Sequence, residues 1–210
     1  LIDISDPKNG NVQIQALTAG VGKTHASIQF AINKRAKFIA PTWALVEAFG
    51  GGDLETQTTC SLLNLRVHNG QLIKATDTVK KTTDYDLIIF DEIFLNNFET
   101  LDAICQFMKV NSHIKFLCSH DKNQLGSAEK LNIGERDEID LKLKIINRLF
   151  PTKVFLRSPK RGDGKIAQFV IEVFSPDKVG HKSTQEKFDI LCKTFKTVKS
   201  LDELPADVNY

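Results

Sequence analysis

A glycine-rich turn between a strand-like and a helix-like segment is the feature that most constrains how this chain folds. Residues 11–17 alternate loosely between apolar and polar side chains, as a strand does, and the turn that follows contains Gly20 and Gly22. Apolar side chains then recur at roughly helical spacing through residues 26–32. A strand, a tight turn and a helix in this order begin a βαβ unit, so the sequence predicts a parallel sheet.

The rest of the chain repeats this alternation of strand and helix. Continuous apolar runs such as residues 86–90 are typical of central strands in a parallel sheet. Asn69-Gly70 lies between two alternating segments and predicts a β-hairpin over residues 66–73. Further strands are predicted at 37–40, 113–118 and 153–156, and helices at 43–49, 58–65, 98–110, 135–149, 165–174 and 185–195. The expected fold is a three-layer α/β domain with a mainly parallel central sheet.

Composition excludes several classes of protein and function. The 210 residues are 41% hydrophobic, which is enough for a core, and no window approaches a membrane span. A formal charge of +2 is too balanced to argue for nucleic-acid binding from bulk charge, so any such site must be local. The four cysteines (Cys60, Cys105, Cys118 and Cys192) have no metal-ligand spacing and predict buried free thiols in a reducing compartment. Because the chain begins at Leu1 and shows no signal segment, we expect a piece of a longer protein in the cytoplasm, of the host cell if the protein is viral.

The glycine-rich turn resembles a Walker A phosphate-binding loop. Its glycines let backbone N–H groups turn towards phosphate oxygens, and the helix start adds partial positive charge. Lys23 can reach the β- and γ-phosphates, and the Thr24 hydroxyl can bind Mg²⁺. Leu17 stands where the full pattern has a glycine. The predicted nucleotide-binding residues are Ala19, Gly20, Val21, Gly22, Lys23, Thr24 and His25.

Two acids follow the apolar strand at residues 86–90. This arrangement resembles Walker B, in which the first acid holds Mg²⁺ and the second orients and deprotonates the attacking water. We therefore assign Asp91 to the metal and Glu92 to the general base. The alternative is a pair of solvated acids at the end of a strand.

Further motifs in the same order resemble superfamily 1 helicases, most closely the branch of phage Dda-type and RecD-type DNA helicases. Motif Ia is matched by Ala40-Pro41-Thr42, and the adjoining nucleic-acid motif by Thr58-x-x-Ser61. Motif III is matched by residues 121–125, with His120 in place of the family's glycine, and motif IV by Lys160-Arg161. The resemblance covers residues 11–175.

The resemblance implies a RecA-like P-loop NTPase domain that uses ATP and Mg²⁺. Gln124 would then sense the γ-phosphate and bond the attacking water, and Arg161 would be the arginine finger. Arg157 competes for the second role, because residues 156–159 resemble a variant of the same motif. No role is assigned to His120.

A second set of residues is implied to contact single-stranded nucleic acid: Pro41, Thr42, Trp43, Thr58 and Ser61. Trp43 either stacks on a base or packs in the core between helix and sheet. Thr58 and Ser61 either donate to phosphates or cap a helix.

The expected organisation is a RecA-like domain over residues 1–175 followed by a helical extension at 176–210. Residues 65–84 would form a small insertion, either a strand-splitting pin or a plain surface hairpin.

A second RecA-like domain of the same protein is the implied partner, so this chain alone should bind nucleotide weakly and hydrolyse it poorly. DNA is favoured over RNA as the nucleic acid, and a viral RNA helicase domain is an alternative. Another P-loop ATPase, such as a terminase-like or DNA-repair motor, and a non-enzymatic nucleotide-binding scaffold are the alternatives.

Overall fold

A computed structural model describes residues 10–16, 22–49, 54–68, 71–74, 79–121 and 135–156. The helices predicted at 165–174 and 185–195 lie outside these residues, as do Ala19, Gly20, Val21, Gln124, Arg157, Arg161 and Cys192. No helix in the described part of the chain is long and apolar enough to cross a membrane.

Six parallel strands form the central sheet, in the order β3-β2-β6-β7-β1-β8. Its strands are β1 (Val12–Ala16), β2 (Ala36–Ala40), β3 (Glu55–Thr58), β6 (Leu87–Phe90), β7 (Lys115–Asp121) and β8 (Thr152–Leu156). The helices are α1 (Lys23–Ala31), α2 (Trp43–Phe49), α3 (Thr59–Leu62), α4 (Phe98–Val110) and α5 (Glu135–Leu149). The predicted parallel α/β fold is confirmed.

Helices cover both faces of the sheet, which gives three layers. On one face Phe90 and Phe116 pack with Phe107 of α4 and Ile146 of α5. On the other face, Val12, Ile14 and Phe38 pack with residues of α1 and α2. Burial of both faces explains why β2 and β6 are fully buried and why β6 reads as a continuous apolar run.

The predicted hairpin is confirmed as a separate two-stranded antiparallel sheet. It pairs β4 (Leu65–His68) with β5 (Gln71–Lys74) and lies between α3 and β6 in the chain. Whether this insertion acts on nucleic acid stays a prediction.

Two predicted elements need correction. The helix expected at 58–65 is shorter, a single turn over Thr59–Leu62, because Thr58 ends strand β3 and caps α3 with its side chain. Asn64 then takes a left-handed backbone conformation (φ 53°), which ends the helix before β4. The strand expected at 113–118 is shifted to Lys115–Asp121, since residues 111–114 form the turn after α4.

Of the three cysteines that the structure describes, Cys118 alone is buried as expected. Cys60 and Cys105 are free but half-buried.

Candidate nucleotide site

The candidate site lies at the carboxyl ends of three neighbouring strands, β1, β7 and β6. The start of α1 lies against this edge, because the predicted phosphate-binding turn joins β1 to α1. Ligands of parallel α/β sheets bind at the carboxyl ends of the strands. Of the predicted nucleotide-site residues, the structure brings Lys23, Thr24, Asp91 and Glu92 together here, while His25 is exposed on α1.

Gly22 is the residue that lets the turn enter α1. It has φ 83° and ψ 37°, a left-handed conformation that side chains with a Cβ rarely adopt. Lys23 is therefore the first residue of α1, with its backbone N–H at the helix N-terminus.

Lys23 and Glu92 form a buried ion pair. Lys23 Nζ lies 3.0 Å from Glu92 Oε1, and the two side chains are only 9% and 12% exposed. Burial raises the pKa of the Glu92 carboxyl, against the opposing effect of the Lys23 charge. Glu92 Oε2 has no hydrogen-bond partner among the described residues, so half of this carboxylate is available to another donor.

Asp91 is held by two hydroxyl groups. The Thr24 hydroxyl donates to Asp91 Oδ2 at 3.2 Å, and the Ser119 hydroxyl donates to Oδ1. Burial raises the pKa of Asp91, against the lowering effect of the Ser119 hydrogen bond. Ser119, on β7, is a site residue that the sequence reasoning missed. The only signal for it is that it follows Cys118 in a strand expected to be central.

The backbone of Glu92 is also left-handed, with φ 49°. This conformation is uncommon outside glycine, asparagine and aspartate. The Ser119 hydroxyl accepts a hydrogen bond from the Glu92 N–H at 3.3 Å, and Glu92 caps the 3-10 turn Ile93–Leu95. Ser119 therefore contacts both acids of the site.

His120 lies at the same edge and is 1% exposed. Its ring stacks on Phe94, with 5.8 Å between ring centroids, and its Nε2 is 3.1 Å from Gln13 Oε1. Burial lowers the pKa of His120 to about 4, and the charges of Lys23 and Lys153 add to this effect, so the ring is neutral at pH 7.

A buried cation, Lys142 of α5, lies behind the turn that follows the two acids. It pairs with Glu138 at 2.9 Å and donates to the Phe94 carbonyl at 3.3 Å. The ammonium also lies over the rings of Phe94 and Phe98. No sequence pattern predicts this contact, because it joins positions in α5 and the turn that are distant along the chain.

Thr24 and Asp91 fit the coordination chemistry of Mg²⁺. Adjacent ligands of an octahedral Mg²⁺ are about 3 Å apart, since each metal–oxygen distance is about 2.1 Å. The Thr24 and Asp91 oxygens are 3.2 Å apart. No group of three His, Cys, Asp or Glu side chains in the described residues could hold a metal by itself. Mg²⁺ in nucleotide sites commonly completes its shell with water and phosphate oxygens.

The residues predicted to contact nucleic acid lie at or just after the carboxyl ends of β2 and β3. Trp43 is 63% exposed, so the alternative that it packs in the core is wrong; the preceding residues turn the chain at the sheet edge and leave the indole outside. The Thr42 and Thr58 hydroxyls accept from the Leu45 and Ser61 N–H groups and therefore cap α2 and α3. Ser61 is exposed and Pro41 half-buried. Contact of these residues with nucleic acid stays a prediction.

The strand order and the helices on both faces give the three-layer α/β fold that RecA-like domains share. No model of a known protein family matches the chain, and no curated protein matches it. Among solved structures, the chain is similar to the Pif1 helicase from Bacteroides in complex with ADP-AlF3 and ssDNA. The identity is 16% and the TM-score 0.59, over 94% of this chain and 49% of that one.

Two further structures of the same helicase match. Unliganded Pif1 from Bacteroides sp. has 18% identity and a TM-score of 0.58, over 89% of this chain and 46% of that one. Bacteroides Pif1 bound to ssDNA has 18% identity and a TM-score of 0.57, over 96% of this chain and 51% of that one. These likenesses show the fold, and the chain spans about half the length of the helicase chains it matches.

Proposed function

We propose that this chain is the ATP-binding motor domain of a helicase or translocase that couples Mg–ATP hydrolysis to movement on single-stranded nucleic acid, with DNA favoured. We place it in the cytoplasm, and in a protein that supplies a second RecA-like domain. The observation that carries the proposal is the pairing of Lys23 with Glu92 and of Thr24 with Asp91 at one sheet edge. The likeness to a helicase solved with ADP-AlF3 and ssDNA supports it.

The ion pair between Lys23 and Glu92 implies how nucleotide binding would prepare the site. A triphosphate offers Lys23 a second set of anionic oxygens, so the lysine can leave Glu92 for the β- and γ-phosphates. Glu92 then loses the neighbouring charge that lowers its pKa, while burial continues to raise that pKa. A buried carboxylate with a raised pKa is a better proton acceptor near neutral pH than an exposed one.

Thr24 and Asp91 would hold Mg²⁺, which neutralises developing phosphate charge when bound. Glu92 would accept a proton from the attacking water. Gln124 and Arg161 are proposed to act on the γ-phosphate, with Arg157 as the alternative finger.

The single-stranded nucleic acid would cross the exposed residues that follow β2 and β3. Trp43 presents its indole to solvent, and a stacked base on such a ring contributes about 1–3 kcal/mol. The order of strands puts this surface beside the nucleotide edge, because β2 neighbours β6.

Titration of a fluorescent ATP analogue, with and without Mg²⁺, tests the nucleotide site. We expect Mg²⁺-dependent binding by the chain and its loss in Lys23→Ala. Equal binding by both proteins, or none by either, would contradict the proposed site. Stimulation of turnover by single-stranded DNA or RNA then tests the helicase class, and turnover that neither strand changes would favour another kind of P-loop ATPase.

A further inference from the structure

His120 carries a buried ring nitrogen that nothing in the described part of the chain satisfies. Its Nδ1 has no hydrogen-bond partner among those residues, although the residue is 1% exposed. An unpaired buried polar atom is costly, so such an atom at a ligand site requires an explanation.

The neighbouring contacts establish which ring nitrogen carries the proton. Gln13 Nε2 faces the Phe150 carbonyl, which can only accept a hydrogen bond, so the amide group of Gln13 is the donor there. Gln13 Oε1 therefore faces His120 Nε2, which must carry the hydrogen. In a neutral ring Nδ1 is then a bare lone pair, and the low pKa of about 4 keeps the ring neutral.

A second unpartnered acceptor belongs to the same site. Glu92 Oε2 is buried and has no partner among the described residues. The Glu92 N–H bonds the Ser119 hydroxyl at 3.3 Å, and His120 follows Ser119 in β7, so both groups lie at the same end of the sheet. Phe94, whose ring stacks on His120, is two residues from Glu92 along the chain.

The chemistry of the two acceptors selects their ligand. Phosphate oxygens of a nucleoside triphosphate accept hydrogen bonds and cannot satisfy either atom. A water molecule has two protons to donate and can satisfy both. We infer that His120 Nδ1 and Glu92 Oε2 together hold the water that attacks the γ-phosphate, with His120 as a water-orienting residue.

The atoms and protons of the hydrolysis step balance, and Glu92 is the only protein group that gains a proton. The water oxygen forms the new bond to the γ-phosphorus while the bond to the β–γ bridging oxygen breaks, and ADP leaves. One water proton passes to Glu92, and the other stays on the product phosphate. His120 accepts a hydrogen bond and takes no proton. This inference rests on the proposed ATP hydrolysis.

Two substitutions separate this role from a structural one. The amide of His120→Gln can still bond Gln13 in place of Nε2 but offers no acceptor at the Nδ1 position. The Oδ1 atom of His120→Asn replaces Nδ1 but loses the contact with Gln13. His113→Gln is the matched control, because it makes the same change at an exposed histidine before the other end of β7.

We expect His120→Gln to lower kcat for ATP about 10- to 100-fold with KM within about twofold, since misplacing a reacting group costs rate rather than binding. His120→Asn should recover most of this loss, and His113→Gln should match wild type. Affinity for Mg–ADP with aluminium fluoride, measured against Mg–ADP alone, should fall selectively in His120→Gln. Thermal unfolding of each variant checks that it is folded.

The inference is overturned if His120→Gln matches wild type, or if His120→Asn is the more damaged variant. The second result would show that the contact with Gln13 is what matters. Failure of the proposed function looks different, because wild type itself would then bind no Mg–ADP or bind it as Lys23→Ala does, and the inference would fall with it.

Discussion

The two edges of the central sheet hold their carboxylates in opposite ways. At the amino edge, Glu55 is paired with Lys37 at 2.5 Å and accepts from the Tyr85 hydroxyl, and these hydrogen bonds lower its pKa. At the carboxyl edge, burial raises the pKa of Asp91 and Glu92. The acid at the amino edge is paired and exposed, whereas both acids at the carboxyl edge are buried and Glu92 keeps one oxygen without a partner among the described residues.

This difference distinguishes an acid that stabilises from one that reacts. The two acids at the amino edge, Glu55 and Asp86, each have a partner of opposite charge and are open to water, with side chains 58% and 50% exposed. Glu92 instead has a left-handed backbone and an unpartnered oxygen within the described residues. Such unfavourable features cluster at functional sites, where a ligand completes the arrangement.

The largest expected effect is on ATP turnover, which should fall when an acid at the carboxyl edge is replaced and persist when one at the amino edge is replaced. We expect Glu92→Gln to lower ATP turnover about 10²- to 10⁴-fold while nucleotide binding persists, because the amide cannot accept the proton. Glu55→Gln is the matched control at the amino edge and should leave turnover within about twofold. Steady-state hydrolysis and analogue titration measure both quantities. Turnover by Glu92→Gln within a few-fold of wild type would remove Glu92 from the role of base.

The second prediction concerns stability against pH. His120 has a pKa of about 4 in the folded chain against 6.5 when unfolded, so the unfolded state binds the proton first as pH falls. Stability should therefore fall by about 3 kcal/mol between pH 6.5 and 4 from this group alone. The raised pKa values of Asp91 and Glu92 act in the opposite sense over the acid range.

Denaturant unfolding at several pH values checks this prediction. The comparison with His120→Asn cancels the carboxylates, which are common to both proteins, and the variant should lose less stability than wild type as the pH falls from 6.5 to 4. Equal slopes in the two proteins would mean that His120 titrates normally, in spite of its burial and of the Lys23 and Lys153 charges.

The third prediction tests whether Ser119 orients the metal ligand. Ser119→Ala removes the hydroxyl that donates to Asp91 and accepts from the Glu92 N–H. We expect the Mg²⁺ concentration for half-maximal nucleotide binding to rise about tenfold, which is typical for losing a partner of a metal ligand. Ser27→Ala is the control, because Ser27 is equally buried and its hydroxyl donates to the Lys23 carbonyl, away from both acids. An unchanged Mg²⁺ requirement would reduce Ser119 to a packing residue.

Local patterns explain how much of this fold was predictable. Helices α2, α4 and α5 begin and end where the sequence predicts, because periodicity and capping are properties of neighbouring residues. Strand β3 was missed because Glu55–Thr58 carries polar side chains at the sheet edge and shows no apolar run.

The site was predictable where it depends on motifs and unpredictable where it depends on strand order. Lys23 and Glu92 each follow from a local pattern. The contact of His120 with Gln13 exists because β7 pairs with β1, which no local pattern shows. The alternation of Gln13 and Gln15 with apolar residues in a central strand was a usable signal, since polar residues there need buried partners.

The smallest expected effect is at the exposed pair of the amino edge. Arg35 and Asp86 are 64% and 50% exposed at the side chain, so water and salt screen their attraction. In Arg35→Ala the backbone N–H of residue 35 still bonds Asp86, and the Asp86 N–H still bonds the residue 35 carbonyl. We expect unchanged turnover and a small fall in the unfolding midpoint that disappears at about 0.5 M salt. A loss of turnover like that of Glu92→Gln would show that the two edges are coupled, and the division between a stabilising and a reactive edge would fail.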